Sequence, residues 1–283
     1  MEFGVSIFAT DTTIDPVTVA KAAEDRGFDS LWLPEHSHIP ASRETPWGGV
    51  AGAPPLPEHY WRTLDTFVAL GAAAAATDRL KLATGITLLA QRDPIWTAKE
   101  VATVDHLSGG RFIFGIGYGW NKEELASHGV SYTERRALMR EKIHVMKALW
   151  TDDVASYAGE KLHLEPSWAW PKPIQKPHPP IVLGGAIGPR TLADIVEFCD
   201  GWFPLGRYDL EEGTRAVRQA LTDAGRDDSA FEFSYFHARP SDDFIGHLST
   251  LGFSRAVFGL PQGDASEVMA SLDELARFAA RMK

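Results

Sequence analysis

Cysteine is almost missing from this chain. Cys199 is the only one among 283 residues, so no internal disulfide can form and no C-x-x-C redox or zinc motif exists. A reducing compartment is the natural setting, and the apolar neighbourhood IVEFCDGW makes Cys199 a buried, inert thiol rather than a nucleophile. Missing too is any cluster of Lys and Arg. With a net charge of −10 and scattered cations, neither a nucleic acid nor an anionic membrane is expected as the main partner. No apolar run nears the roughly 20 residues that span a bilayer. The N-terminal MEFGVSIF enters a strand with no basic segment or small-residue cleavage site, so no secretion signal is expected and the protein reads as cytoplasmic. Equally absent are a P-loop, G-x-S-x-G, H-E-x-x-H and internal repeats. The first strand is not followed by the glycine loop of an open dinucleotide-binding sheet; FGVSIFATD offers none of its glycines.

What is present is alternation. FGVSIF (3–8) reads as a strand and 15–27 as a helix, with Asp15 at its cap, Pro16 at its first position and Gly27 at its end. SLWLPEH (30–36) is a short buried strand stopped by Pro34, and further helices are predicted at 62–76, 94–107 and 133–150. KLATGITLL (81–89), interrupted by Gly85, and RFIFGIGYG (111–119) supply the next two strands. Four more strand–helix pairs follow from Pro180 to residue 282. Eight such pairs predict an α/β fold, a (β/α)8 TIM barrel forming a single domain over residues 1–283 with insertions at its C-terminal face.

In such a barrel the chemistry sits just past the C-terminal ends of the strands. Glu35 and His36 emerge at one of these ends. They are followed by a proline-rich, aperiodic stretch (37–60) that reads as a lid-like loop and brings Trp47, Tyr60 and Trp61 towards the same rim. Residues 151–179, rich in Pro and carrying Trp168 and Trp170, read as an excursion lying over the barrel. GGAIGPRTL (184–192) is a phosphate candidate: Gly184, Gly185 and Gly188 allow close backbone approach, Pro189 opens a helix, and Arg190 in the first turn suits an anion. An ordinary glycine turn explains it equally well. In GIGYGWNKEE (115–124), Gly115, Gly117 and Gly119 would let a flat ligand lie on the backbone with Tyr118, Trp120 and Asn121 at its edge; relief of crowding at the barrel mouth is the alternative. Glu35-His36-Ser37-His38 contains H-x-H, but a metal site needs ligands at later strand ends, and only His237 is placed at one; no metal is predicted.

These segments, from AEDRGFDSLWLPEH through LATGITLL and DHLSGGRFIFGIGYGWNKEE to PIVLGG and CDGWFPLG, resemble the luciferase-like monooxygenase superfamily, specifically its branch of probable F420-dependent oxidoreductases. The resemblance covers nearly the whole chain and is weakest over 151–179. It implies a barrel that binds coenzyme F420, or alternatively FMN, at the C-terminal rim. It also implies a non-prolyl cis peptide at Gly85-Ile86 behind the ring, His36 in proton transfer, and a phosphate cradle of Gly184, Gly185, Ala186, Ile187 and Gly188. Glu35, Trp47 and Trp61 are expected near a small organic substrate, and a homodimer is implied. Trp120 stands where sugar-phosphate dehydrogenases of the family carry a glutamate, with Glu123 and Glu124 further on, which argues against a sugar phosphate. The expected activity is F420-dependent hydride transfer. An FMN-dependent monooxygenase using oxygen and a non-catalytic deazaflavin-binding protein are the alternatives.

Overall fold

The structure, a computed structural model, describes residues 1–205 and 209–282. Gly206, the last residue of CDGWFPLG, lies outside them. The strands are β1 (Glu2–Ser6), β2 (Ser30–Leu33), β3 (Lys81–Thr84), β4 (Phe112–Gly117), β5 (Ala155–Ala158), β6 (His163–Ser167), β7 (Ile181–Gly185), β8 (Gly201–Pro204), β9 (Glu232–Phe236) and β10 (Arg255–Gly259). Eight of them close into a barrel of parallel strands in the order β1-β10-β9-β8-β7-β4-β3-β2, while β5 and β6 form a separate antiparallel pair. The helices are α1 (Pro16–Asp25), α2 (Thr66–Ala75), α3 (Pro94–Leu107), α4 (Lys122–Ser127), α5 (Arg135–Thr151), α6 (Pro189–Phe198), α7 (Leu210–Asp223), α8 (Asp242–Thr250) and α9 (Ala265–Met282). Among the described residues no helix is long and apolar enough to cross a membrane.

Local chemistry sets the boundaries. Asp15 caps α1 by accepting from the Thr18 amide at 2.9 Å, Pro16 fills the first position, and Gly27 follows the helix at φ 78°, a conformation that only glycine adopts cheaply. Asp65 and Asp93 cap α2 and α3 in the same way. The predicted helix at 62–76 therefore begins later, at Thr66.

The barrel interior is filled by Trp32, Ala83, Ile113, Val182, Phe203 and Val257, with Ile86 and Phe236 packed on them. Trp32 meets Phe236 edge-on at 4.9 Å, and Phe236 stacks on Phe203 at 4.2 Å. At the N-terminal end the fully buried Arg255 lies 5.6 Å from the Trp32 ring centre and donates to Glu232 at 2.7 Å and to Glu2 at 2.5 Å. The guanidinium is thus neutralised where it leaves water. Interior and floor are thus filled, and the C-terminal mouth carries the cavity described below.

β3 stops early. After Thr84 the chain bulges through a cis Gly85–Ile86 peptide and returns to β4 at Thr87, whose amide donates to the Gly115 carbonyl at 2.8 Å. The bulge explains two glycines of β4. A Cβ on Gly115 would lie 2.0 Å from the Thr84 carbonyl oxygen, and one on Gly117 would lie 1.9 Å from the Ile86 Cδ1. Both glycines make room for protein, which is the crowding-relief alternative of the sequence reading.

Residues 151–179 are placed differently from expectation. They do not lie over the mouth. β5 packs on α5, the His106 Nε2 of α3 donates to the Lys172 carbonyl at 2.7 Å, and the Gln175 side chain donates to Asp105 at 2.6 Å and to the Phe112 carbonyl at 2.7 Å. Lys172 donates to Leu149 at 2.9 Å. These bonds hold the excursion along α3 and α5 and draw it to the start of β4, the end of the barrel opposite the mouth.

Candidate active site

At the C-terminal mouth lies a cavity of about 530 Å3. Pro34, Glu35 and His36 form one wall, Gly85 and Ile86 a second, and Gly184, Gly185 and Ala186 a third. Pro34 ends β2 because it has no N–H for the ladder, and the next two side chains are delivered to the rim.

His36 is held by a residue whose role the sequence reading missed. Its Nδ1 lies 2.7 Å from Glu124 Oε2, both side chains being buried. Glu124 also accepts from the Ser37 amide at 3.3 Å and from Gln91 Nε2 at 3.1 Å, so its carboxylate is surrounded by donors. A carboxylate offers only acceptors, which places the proton on His36 Nδ1 and leaves Nε2 as the nitrogen that serves the cavity. Glu124 stands at the third position of α4, whose cap is Asn121, with Asn121 Oδ1 accepting from the Glu124 amide at 3.3 Å. Asn-x-x-Glu is the spacing of a helix cap, and it reads as capping until the fold brings β2 alongside. Asn121 itself is buried as that cap and is not part of the cavity wall.

Glu35 sits in a different environment one residue away. Its Oε1 accepts from Arg92 Nη1 at 3.0 Å, while Oε2 is buried without a partner. Burial raises the carboxyl pKa to about 7 against the opposing pull of Arg92. Arg92 is braced on its other side by Glu100 at 2.7 Å.

Aromatic side chains line the cavity around His36. Tyr60 lies 5.1 Å and Trp120 5.8 Å from the His36 ring, and Trp47 meets Tyr60 edge-on at 5.8 Å. The loop carrying Trp47 is tied down by Glu123, which accepts from the Glu44 and Thr45 amides at 3.0 and 3.1 Å. Although burial opposes it, these bonds and the Thr45 hydroxyl hold the Glu123 carboxyl down to about 2. Trp61 is exposed and borders a separate depression with Ile39, Pro40 and Arg43, apart from this cavity.

On the third wall, Gly184 faces Phe203, where a Cβ would approach to 2.5 Å. Gly185 has ordinary space, and a Cβ on Gly188 would meet nothing within 4 Å. Gly188 caps α6 without any side-chain bond, so the first-turn amides of that helix have no side-chain acceptor there. Ile187 packs on the core, and Arg190 is exposed outside the cavity wall. Tyr118 lines the cavity and donates its hydroxyl to Asp194 at 2.6 Å; burial first, and then Asp194, raise its pKa well above the ordinary value.

A flat ring with a phosphate-bearing side chain fits these residues: open space at Gly188, α6 first-turn amides without a side-chain cap, and a cavity lined by aromatic groups. The imidazole on the opposite wall adds one group able to give or take a proton.

The sequence profile described as luciferase-like monooxygenase matches residues 1–240. An uncharacterised protein of Mycobacterium tuberculosis is 40% identical over 98% of this chain and 98% of its own length. A monooxygenase from Streptomyces bottropensis superposes with a TM-score of 0.78 over 100% of this chain and 99% of its own, at 18% identity. The coenzyme F420-dependent tetrahydromethanopterin reductase of Methanopyrus kandleri superposes with a TM-score of 0.74 over 98% of this chain and 97% of its own, also at 18% identity.

Proposed function

Because the chain belongs to the luciferase-like monooxygenase family, we propose that it is an oxidoreductase that moves hydride between coenzyme F420 and a small organic substrate, with His36 handling the accompanying proton. The observation that carries this reading is the buried His36–Glu124 pair at 2.7 Å, facing a cavity whose other walls are the Gly85–Ile86 bulge and the Gly184–Ala186 turn. When bound, a deazaflavin supplies a two-electron hydride donor or acceptor, and the protein supplies position and electrostatics.

The chain's own residues account for the remaining requirements. Gly85 and Ile86 form the wall against which a ring would rest, and Gly185 on the wall, with Gly188 and the α6 amides beyond it, would receive its phosphate. Tyr60, Trp47 and Trp120 exclude water from the His36 side of the cavity. With Nδ1 engaged by Glu124, Nε2 of His36 gives a proton to a substrate oxygen during reduction or takes one during oxidation. Secondary alcohols and ketones fit this arrangement, since a proton and a hydride interconvert them. One buried thiol and the family likeness are in keeping with a cytoplasmic homodimer.

A second reading is an FMN-dependent monooxygenase, in line with the description of the family as luciferase-like monooxygenase. It differs in consuming oxygen and in needing a supply of reduced flavin. The test is turnover of a panel of alcohols and ketones, followed by deazaflavin absorbance, in wild type and His36→Ala. Loss of about 100-fold or more in turnover with cofactor affinity kept within a few-fold supports the proton role. Undiminished turnover in His36→Ala rules that role out, and formation of an oxygenated product from substrate, reduced FMN and oxygen selects the second reading.

A further inference from the structure

Two of the rings beside His36 are tied to the barrel frame. Phe8 follows β1 and Tyr60 ends the 37–60 loop, and the segments that carry them are joined by backbone: Thr10 and Thr63 form an antiparallel bridge, and the Leu64 amide donates to the Ala9 carbonyl at 2.8 Å. The Thr63 hydroxyl also donates to the His59 and Tyr60 carbonyls at 3.0 and 3.1 Å, which holds the turn that aims Tyr60. As a result the Phe8 and Tyr60 rings lie 4.7 Å apart on the cavity wall, with the Tyr60 ring 5.1 Å from His36. Trp47 and Trp120 meet Tyr60 edge-on at 5.8 and 6.2 Å. Tyr60 therefore touches each of the other three rings and the imidazole.

The four rings are neutral, and the charged groups described on the same cavity wall are already engaged. Glu35 is bound to Arg92 at 3.0 Å, with burial holding its carboxyl up at about 7, and Arg135 lies 3.5 Å over the Tyr132 ring with its Nε donating to the Gly119 carbonyl at 3.2 Å. Arg43 stands 5.8 Å from the Trp120 ring centre, so that ring already has a cation beside it. A charged substrate would shed its water here without gaining a counter-ion, and a substrate of a few carbons would leave the Phe8 and Tyr60 rings unfilled. An aromatic ring on the reacting carbon gains ring–ring contact with both while its oxygen meets His36. We propose that the substrate is a secondary alcohol, or the matching ketone, bearing an uncharged aromatic ring on the reacting carbon, and that Phe8 and Tyr60 are the residues that select that ring. This rests on the oxidoreductase reading above. In oxidation the carbinol hydrogen leaves with its electron pair as hydride to the oxidised deazaflavin and the hydroxyl proton goes to His36 Nε2, so that the C–O single bond becomes C=O; reduction reverses both transfers.

The test is calorimetric titration of the purified protein, alone and saturated with whichever of F420 and FMN it binds. The ligands are acetophenone, cyclohexyl methyl ketone, butanone, para-acetylbenzoate and para-acetylphenyltrimethylammonium. Wild type is expected to bind acetophenone about tenfold or more tighter than butanone, and tighter than the cyclohexyl ketone or either charged analogue. Phe8→Leu and Tyr60→Leu keep apolar volume and remove a ring, and each should lose about threefold or more for acetophenone with butanone unchanged. Tyr60→Phe should keep the wild-type affinity, and a loss there as large as in Tyr60→Leu would overturn the role of the ring. Equal wild-type affinity for acetophenone and either aliphatic ketone would overturn the proposal, as would tighter binding of a charged analogue or no saturable binding of any ketone. Equal losses for acetophenone and butanone in a folded Leu variant would do the same. If F420 does not bind, the deazaflavin reading fails by itself, and the ketone titrations of the protein alone or with FMN still decide the aromatic selection.

Discussion

Glu35 and His36 are neighbours in sequence with opposite electrostatic surroundings. His36 is given a carboxylate, Glu124, as its Nδ1 partner, whereas Glu35 is buried with one oxygen on Arg92 and the other without a donor. Because its pKa in the fold is raised from 4.5 to about 7, the protonated form of Glu35 is the one the fold favours. The associated stability is fully present below the ordinary pKa and is lost as pH rises through 7, at a cost on the order of 3 kcal/mol. Glu35→Gln removes that dependence. Thermal melts at about pH 5 and about pH 8.5 should show the variant gaining several degrees on wild type at the higher pH. Parallel behaviour at the two pH values would mean that Glu35 stays ionised in the fold.

At this scale the sequence displayed His36 plainly, because a proline-terminated strand must release the side chains that follow it. It hid Glu124. Nothing local distinguishes a glutamate three residues after an asparagine cap from one that turns away to a histidine 88 residues distant. Trp61 shows the reverse error: an aromatic residue near the rim in sequence is turned outward by the short helical turn at Glu58–Tyr60.

The element that shapes the site is the bulge after β3. It explains why β4 reads FIFGIG: its glycines are fitted to the Thr84 carbonyl and the Ile86 side chain. Gly115→Ala places a methyl against backbone that cannot step aside, and overpacking of this kind costs about 1–3 kcal/mol. Chemical denaturation of that variant should show the loss, together with weakened ligand binding at the neighbouring wall. A variant as stable as wild type would show that β4 can shift away from the bulge. The interruption at Gly85 was visible in the sequence, but the residue it crowds was not, since β-strand pairing is a property of register. The 151–179 excursion was legible as a break in rhythm and misplaced in space, because proline-rich sequence carries no period to say which surface it covers.

On the scale of the whole molecule, alternating strands and helices specify the barrel, and the pattern was readable because Asp15, Asp65, Asp93, Asn121 and Asp209 mark helix starts with side-chain caps. The interior is filled by Trp32, Phe203 and Phe236 above Arg255, and the loop at 37–60 reaches the C-terminal mouth through Trp47 and Tyr60. Everything assigned to His36 and to the glycine turn at 184–188 depends on a ring with a phosphate-bearing side chain entering there. Fluorescence titration of the purified wild-type protein with F420 and with FMN tests this most directly. The account predicts saturable F420 binding at least about tenfold tighter than FMN; saturable FMN binding with no response to F420 would contradict it.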